Sequence, residues 1–304
     1  MRVANLTVAF AAFIITTAAA SEIGYVKRHL GDLIFFAKHE GAHLLVYAER
    51  DQTRGLAVLS PGQVFDIPSE LKTFLKPKSS RATPSLSHDR TRIAFIQSVS
   101  DNDREQAVWI YDLRNGGCHE IARFPGARSV AWSPAGDALA VDNAGELTIL
   151  LIATQQSRPI ASGMSSVASW SPDAHKIAYD SFYGTGENPA FHLNVVDVET
   201  GESVTVAEGH EPSWSPRGDR IAYLDDRRQR YLSVAPTGGQ SVPLIKKLRG
   251  DQILGKPVVW SPDGRSVIIS AYYDGGTSMT LVDLTTSKQT ALRYGGDWLV
   301  ANWR

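Results

Sequence analysis

The sequence predicts an all-β chain folded as a six-bladed propeller, and three observations carry that prediction. The tetrapeptide Trp-Ser-Pro-x, followed by Gly or Ala, recurs at Trp132, Trp170, Trp214 and Trp260. Short strand-like runs joined by polar turns fill each interval between these anchors. The two ends of the chain hold complementary parts of one further unit, so the ring closes by pairing the C-terminal strand with N-terminal strands.

Each repeat reads as a short strand ending at Trp, a turn through Ser-Pro-x-Gly, and a second strand. The restarts are Ala138-Leu139-Ala140-Val141, Ile177-Ala178-Tyr179, Ile221-Ala222-Tyr223 and Val267-Ile268-Ile269. Proline presets φ for the turn and Asp or Gly completes it. The indole is a large apolar wedge, suited to packing one sheet on its neighbour. A weaker copy precedes these, with Leu86 in the Trp place of Pro84-Ser85-Leu86-Ser87-His88-Asp89.

The anchors are spaced 38 to 46 residues apart, the length of a four-stranded blade. Val108–Tyr111 with Ile121-Ala122, and Leu193–Val196 with Val204–Val206, supply third and fourth strands. Trp303 is a sixth anchor whose blade stops after its first strand. The runs Leu33–Phe36, His43–Tyr47 and Leu56–Leu59 supply its second, third and fourth strands. One segment departs from the repeat: Pro68–Leu75 carries a capping Ser69 and helical spacing, so a short helical insertion is expected at about 68–76.

Residues 1–20 read as a signal peptide. Arg2 precedes a mostly apolar run from Val3 to Ile15, and Ala18-Ala19-Ala20 offers a cleavage site before Ser21. Residues 21–304 are then a single exported domain, periplasmic or secreted, monomeric, with no integral membrane segment. Basic and acidic side chains nearly balance, 31 against 32, which argues against a nucleic-acid partner. The lone Cys118 allows no internal disulfide and reads as an incidental thiol in the turn after Arg114-Asn115-Gly116-Gly117.

The motif Trp-Ser-Pro-Asp-Gly with a following Ile-Ala-Tyr resembles the repeat of TolB-like propellers, also called WD40-like or PD40 repeats. The resemblance covers residues 29–304 and implies the propeller alone, without the α/β domain that precedes it in TolB. It implies a non-catalytic scaffold in the periplasm, binding an envelope protein such as a peptidoglycan-associated lipoprotein at one mouth of the ring.

Loops before each first strand and between second and third strands share one face. Counting back four residues from the anchors puts Arg128, Ser166, His210 and Lys256 at that mouth, with Arg81, Glu211 and Trp298 beside it. A partly basic mouth with an aromatic edge suits a carboxylate or acidic peptide. Asp101, Asp103 and Glu105 lack the Gly turn of a calcium loop and read as solvated.

No Gly-x-Ser-x-Gly elbow is present and the eight His residues are scattered, so no catalysis and no cofactor are expected. The alternative is a metal- or carboxylate-dependent enzyme acting on a glycan or lactone in the channel, through His39, His43 and His210.

Overall fold

The computed structural model describes residues 85–290 in side-chain detail with short interruptions, and outside them only the backbone of strands at 23–28, 33–38, 44–50, 53–60, 63–64, 291–292 and 297–303. The expected signal peptide and the helical insertion at 68–76 lie outside the described residues.

The fold is all-β and propeller-like, built of repeated antiparallel sheets that follow one another along the chain. Strands β1 (Ile23–Arg28) and β2 (Leu33–Lys38) form a separate hairpin. Next come β3 (Leu44–Arg50), β4 (Thr53–Ser60) and β5 (Gln63–Val64). The second sheet runs β6 (Ser85–Leu86), β7 (Arg92–Ser98), β8 (Gln106–Asp112) and β9 (Cys118–Phe124). The third runs β10 (Ala127–Trp132), β11 (Ala138–Asn143), β12 (Glu146–Leu151) and β13 (Ser157–Ser162).

The fourth sheet contains β14 (Ser169–Trp170), β15 (Lys176–Tyr183), β16 (Ala190–Asp197) and β17 (Ser203–Glu208). The fifth contains β18 (His210–Trp214), β19 (Ile221–Asp225), β20 (Arg230–Val234) and β21 (Val242–Pro243). In the sixth, both β22 (Ile253–Leu254) and β23 (Val259–Trp260) pair with β24 (Ser266–Tyr273), followed by β25 (Gly276–Asp283) and β26 (Gln289–Leu292). Strand β27 (Asp297–Trp303) returns to pair with β3, with Trp303 opposite Leu44.

That last sheet differs from the sequence assignment by one strand. Its order is β27-β3-β4-β5. The run Leu33–Phe36, expected as the second strand, belongs instead to the hairpin with β1. The two-residue β5 takes the outer place. A strand this short leaves no hydrophobic alternation to read, which is why the count slipped.

The turns explain the repeat. Each turn serine is buried, from Ser87 and Ser215 at 0% exposure to Ser171 at 3%. In the copies with Asp its hydroxyl accepts the N–H five residues on, as in Lys176 to Ser171 and Ser266 to Ser261, both 2.9 Å, and in the other two it accepts the N–H two residues on, Ala135 to Ser133 and Arg217 to Ser215, both 3.2 Å. In the copies with Asp, the same hydroxyl donates to that carboxylate: Ser87 to Asp89, Ser171 to Asp173 and Ser261 to Asp263. The carboxylate in turn accepts the N–H of Thr91, His175 or Arg265. The motif is thus an interlocked Asx and Ser turn that satisfies buried polar groups locally.

The Trp side chains act as wedges between sheets. Trp132 packs with Ile96, Val108 and Ile110 of the preceding sheet. Trp170 meets Ala140 and Ile149, Trp214 meets Ala178 and Val195, and Trp260 meets Leu224 and Tyr231. All four Trp are at most 9% exposed. The core is therefore a series of sheet-to-sheet seams.

The last departure concerns Cys118. It opens β9 opposite Tyr111 and is half-buried rather than a surface turn residue. Burial pushes its thiol up to about 11.

Candidate functional site

Each innermost strand begins, and each second strand ends, at one end of its sheet, here the upper end. At this end the innermost strands depart from regular pairing. In β10 the register slips between Ala127 and Ser129, leaving Arg128 on a bulge. In β18 it slips between His210 and Ser213, and Glu211 adopts a positive φ of 53°. In the fourth sheet the ladder gives way to an isolated bridge between Met164 and Ser181. Bulges re-aim side chains, and non-glycine residues at positive φ are costly, so both features concentrate attention here.

The bulge turns Arg128 into the seam between the third and fourth sheets. Its Nη2 donates to Asp142 Oδ1 at 2.9 Å and to the Met164 carbonyl at 3.1 Å. Asp142 is 2% exposed and also accepts the Gly145 N–H at 2.8 Å. Gly145 in turn accepts the Met164 N–H at 2.9 Å. The Arg128 charge is thereby neutralised at short range, in a place where a lone carboxylate would be strongly penalised.

The next repeat carries a carboxylate in the same place, and in sequence Ser166 stands where the previous repeat has Arg128. Asp180 falls ten residues after Trp170, as Asp142 does after Trp132. It is 1% exposed and accepts the Ser165 hydroxyl at 2.8 Å.

Beyond Asp180 the upper end becomes aromatic. Phe182 and Phe191 are register partners on β15 and β16, with ring centroids 5.5 Å apart in an edge-to-face arrangement. The Phe191 ring lies 5.0 Å from that of His210 on the fifth sheet, so the group spans a seam. Tyr183 stacks on His192 at 3.5 Å. Phe182 is half-exposed, at 50%. Gly209 makes this approach possible: it has a positive φ of 144°, and a Cβ there would meet Tyr223 Cδ2 at 2.4 Å. Its N–H donates to the Phe191 carbonyl, which sets His210 beside that ring.

Of the residues expected at the mouth, the structure brings Arg128, His210 and Glu211 to this end. Trp298 lies on β27 opposite Ala48. Arg81, Ser166 and Lys256 lie outside the described residues, as do His39 and His43. Sequence counting missed Asp142, Asp180, Phe182 and Phe191. The recurrence of Asp at the same interval after two Trp anchors was a signal for the first pair. Glu105 faces Arg123 Nη1 at 3.8 Å, and among the described residues no three His, Cys, Asp or Glu side chains gather as metal ligands.

The model of the TolB beta propeller domain, PD40, matches residues 63–303. The chain belongs to the TolB β-propeller family. The solved structure of TolB from Acinetobacter baumannii is similar with a TM-score of 0.65 at 17% identity, covering 86% of this chain and 66% of that one. An oligogalacturonate lyase in complex with manganese is similar at 0.55 and 15% identity, over 82% of this chain and 72% of the lyase. Both likenesses concern the fold. In sequence, the uncharacterized peptidase YuxL of Bacillus subtilis is 29% identical over 120 residues, 36% of this chain and 18% of that protein. This chain thus matches less than a fifth of the YuxL chain. Among the described residues no helix is long and apolar enough to cross a membrane.

Proposed function

We propose that the TolB-family chain is a non-catalytic, exported propeller of six blades that binds an envelope protein or peptide at the upper mouth of its ring. The observation that carries this reading is the behaviour of the innermost strands. Their upper ends lose regular pairing at Arg128 and at Glu211 and hold only an isolated bridge at Met164, and such irregular strand ends beside loops are where binding residues are commonly placed. The pairing of β27 with β3 supports six blades, because it joins the two ends of the chain in one four-stranded sheet. Residues 21–304 then form one domain, with 1–20 as the exported leader.

Within this reading, Arg128 shapes the mouth through Asp142, and the direct contacts fall to Arg81, Ser166, His210, Glu211, Lys256 and Trp298. An acidic segment of the partner would be held by Arg81 and Lys256.

Photo-crosslinking in cells tests the proposal. The crosslinking residue replaces Ser166 or His210 at the mouth and Val204 on an outer strand, and products are identified by mass spectrometry. A discrete envelope protein captured from the two mouth positions and lost in an Arg81→Glu/Lys256→Glu variant supports it. Identical products from Val204, or none from the mouth, overturns it. A stoichiometric divalent metal in protein purified without chelator would favour the glycan- or lactone-acting enzyme instead.

A further inference from the structure

We propose that the outer edge of β17, in the fourth sheet, receives an extended segment of a protein partner as an added antiparallel strand, and that this segment carries a Lys or Arg opposite Glu202. The site is apart from the mouth and stands independently of the mouth-binding reading.

Three observations carry it. The first is the backbone. β17 is the last strand of its sheet, so no further strand covers its outer edge. Its ladder with β16 reaches back to Glu202, whose carbonyl accepts the Asp197 N–H at 2.9 Å, and Ser203 and Val204 stand opposite Val196 and Val195. Hydrogen-bonded and non-hydrogen-bonded pairs alternate in an antiparallel ladder. The N–H and C=O of Val204 therefore face β16, and those of Ser203 and Thr205 face outward. All three residues are exposed. The open stretch ends at Val206, where the turn after β20 closes in: a Cβ on Gly238 would lie 3.6 Å from the Val206 carbonyl.

The second observation is contrast with the neighbouring outer strands. Charged side chains, proline and brevity blunt a sheet edge. β9 carries the Glu120–Arg123 ion pair, β13 contains Arg158 and Pro159, and β21 is only Val242–Pro243. β17 holds no Lys, Arg or Pro, and its Val204 is 56% exposed. Val204 shares a sheet face with Val195, which packs toward the fifth sheet, and there the outer strand has two residues only.

The third is charge. Glu202 is exposed at the entry to the open stretch. The cations on adjoining elements are directed elsewhere, Arg158 to the Val198 carbonyl and Lys176 toward Asp197. No Lys or Arg occurs between residues 197 and 211, so a second copy paired edge to edge would bring no cation to Glu202. A partner segment with a basic residue there gains an opposite-charge cross-strand pair.

The register fixes the segment's pattern. An incoming antiparallel strand bonds to Ser203 and Thr205, and its residue opposite Val204 falls in a non-hydrogen-bonded pair, where side chains come closest. The residue two positions later lies opposite Glu202. The edge thus selects a β-branched residue followed two positions on by Lys or Arg.

The test measures fluorescence anisotropy of a short labelled peptide alternating Thr and Val, with Lys two positions after the central Val. Two control peptides replace that Lys by Glu, or are N-methylated on the amides that face Ser203 and Thr205. The Lys peptide should bind the full chain, its Glu form roughly threefold more weakly, and the methylated form not at all. Ser203→Pro removes an outward N–H and should abolish binding, with thermal unfolding checking that the protein folds. Glu202→Lys, at an exposed position, should reverse the preference between the Lys and Glu peptides. Absence of binding, equal binding of the methylated peptide, or an unchanged preference in Glu202→Lys overturns the inference. A dimer of the parent that Ser203→Pro dissociates would give the edge to a second copy and overturn it as well. Failure here leaves crosslinking from Ser166 and His210 as it was. If both readings hold, Val204 captures a product different from that of the mouth, which selects acidic segments.

Discussion

The indole Nε1–H of Trp260 donates to the carbonyl of Ser213 at 3.1 Å, tying one sheet to its neighbour across 47 residues of sequence. Trp170 makes the same bond to Ala131. At the intervening seams the link changes form: the backbone N–H of Trp132 and of Trp214 donates to the hydroxyl of Ser85 and of Ser169. There the indole Nε1 of Trp132 and Trp214 is buried without a partner.

This alternation makes the anchors unequal. Trp260→Phe removes a hydrogen bond and leaves the Ser213 carbonyl short of a donor, whereas Trp214→Phe removes a donor that had none to give. Trp260→Phe should therefore be the more destabilising by about 1 kcal/mol, read from urea unfolding of the two variants. Equal losses would show that the indole bond contributes nothing net.

The turn glycines yield a second prediction. Gly136, Gly218 and Gly264 have φ of 76°, 74° and 66°, and in the remaining copy Ala174 occupies the same conformation at 62°. An L-residue there carries a steric cost of about 1–2 kcal/mol. Ala174→Gly should stabilise by up to about 1 kcal/mol, after the entropy of the added glycine is offset. Gly264→Ala should lower the melting temperature, because its Cβ would also press on Arg217 Nε at 3.2 Å.

The seam pair Arg128–Asp142 should behave as a unit. Arg128→Met leaves Asp142 buried with its countercharge gone, and a loss of about 3 kcal/mol is expected. Arg128→Met with Asp142→Leu should recover most of it. A double-mutant cycle by chemical denaturation checks the coupling, and additive losses would refute it.

Acid sensitivity has a named origin. The Arg114 side chain and backbone N–H hold the Asp112 carboxyl at about 2, well below its ordinary range. Asp173 is also lowered, by the Ser171 hydroxyl and the His175 N–H. Folded values below the unfolded ones mean stabilisation that is present above about pH 4 and lost as pH falls toward 2. In NMR titrations Arg114→Ala should raise Asp112 toward the ordinary value and leave Asp173 unmoved. The effect on melting should be small, because the Asp112 pair is at the surface.

Cys118 should be slow to alkylate. With its thiol near 11 rather than 9.0, thiolate at neutral pH falls about a hundredfold below that of a free cysteine. Iodoacetamide labelling of native against urea-unfolded protein measures the difference, and rapid native labelling would contradict it.

The repeat was legible because its chemistry is local. Ser171, Asp173 and Lys176 find each other within five residues, so the turn, the Trp wedge and the following strand could be read along the chain. The seam network was not, because Arg128 meets Asp142 and Met164 only after a bulge that no residue type announces. Counting back from Trp132 found the right end of the strand but supposed a cation facing the mouth. Phe182 and Phe191 were hidden differently: they flank the stretch from Tyr183 to Pro189 that reads as a loop, and only strand register makes them partners on adjacent strands. At the N-terminus, the strand count slipped because β5 has two residues and β1 pairs outside the repeat.

The register of β27 on β3 has a mechanical consequence. Trp303 and Leu44 sit opposite each other at the same end of an antiparallel ladder. A pulling force applied between the segment before Leu44 and the one after Trp303 would load the rungs singly rather than in shear. Between these two points the protein should part like a zipper at low force, whereas pulling β27 along its own length would break the same bonds together.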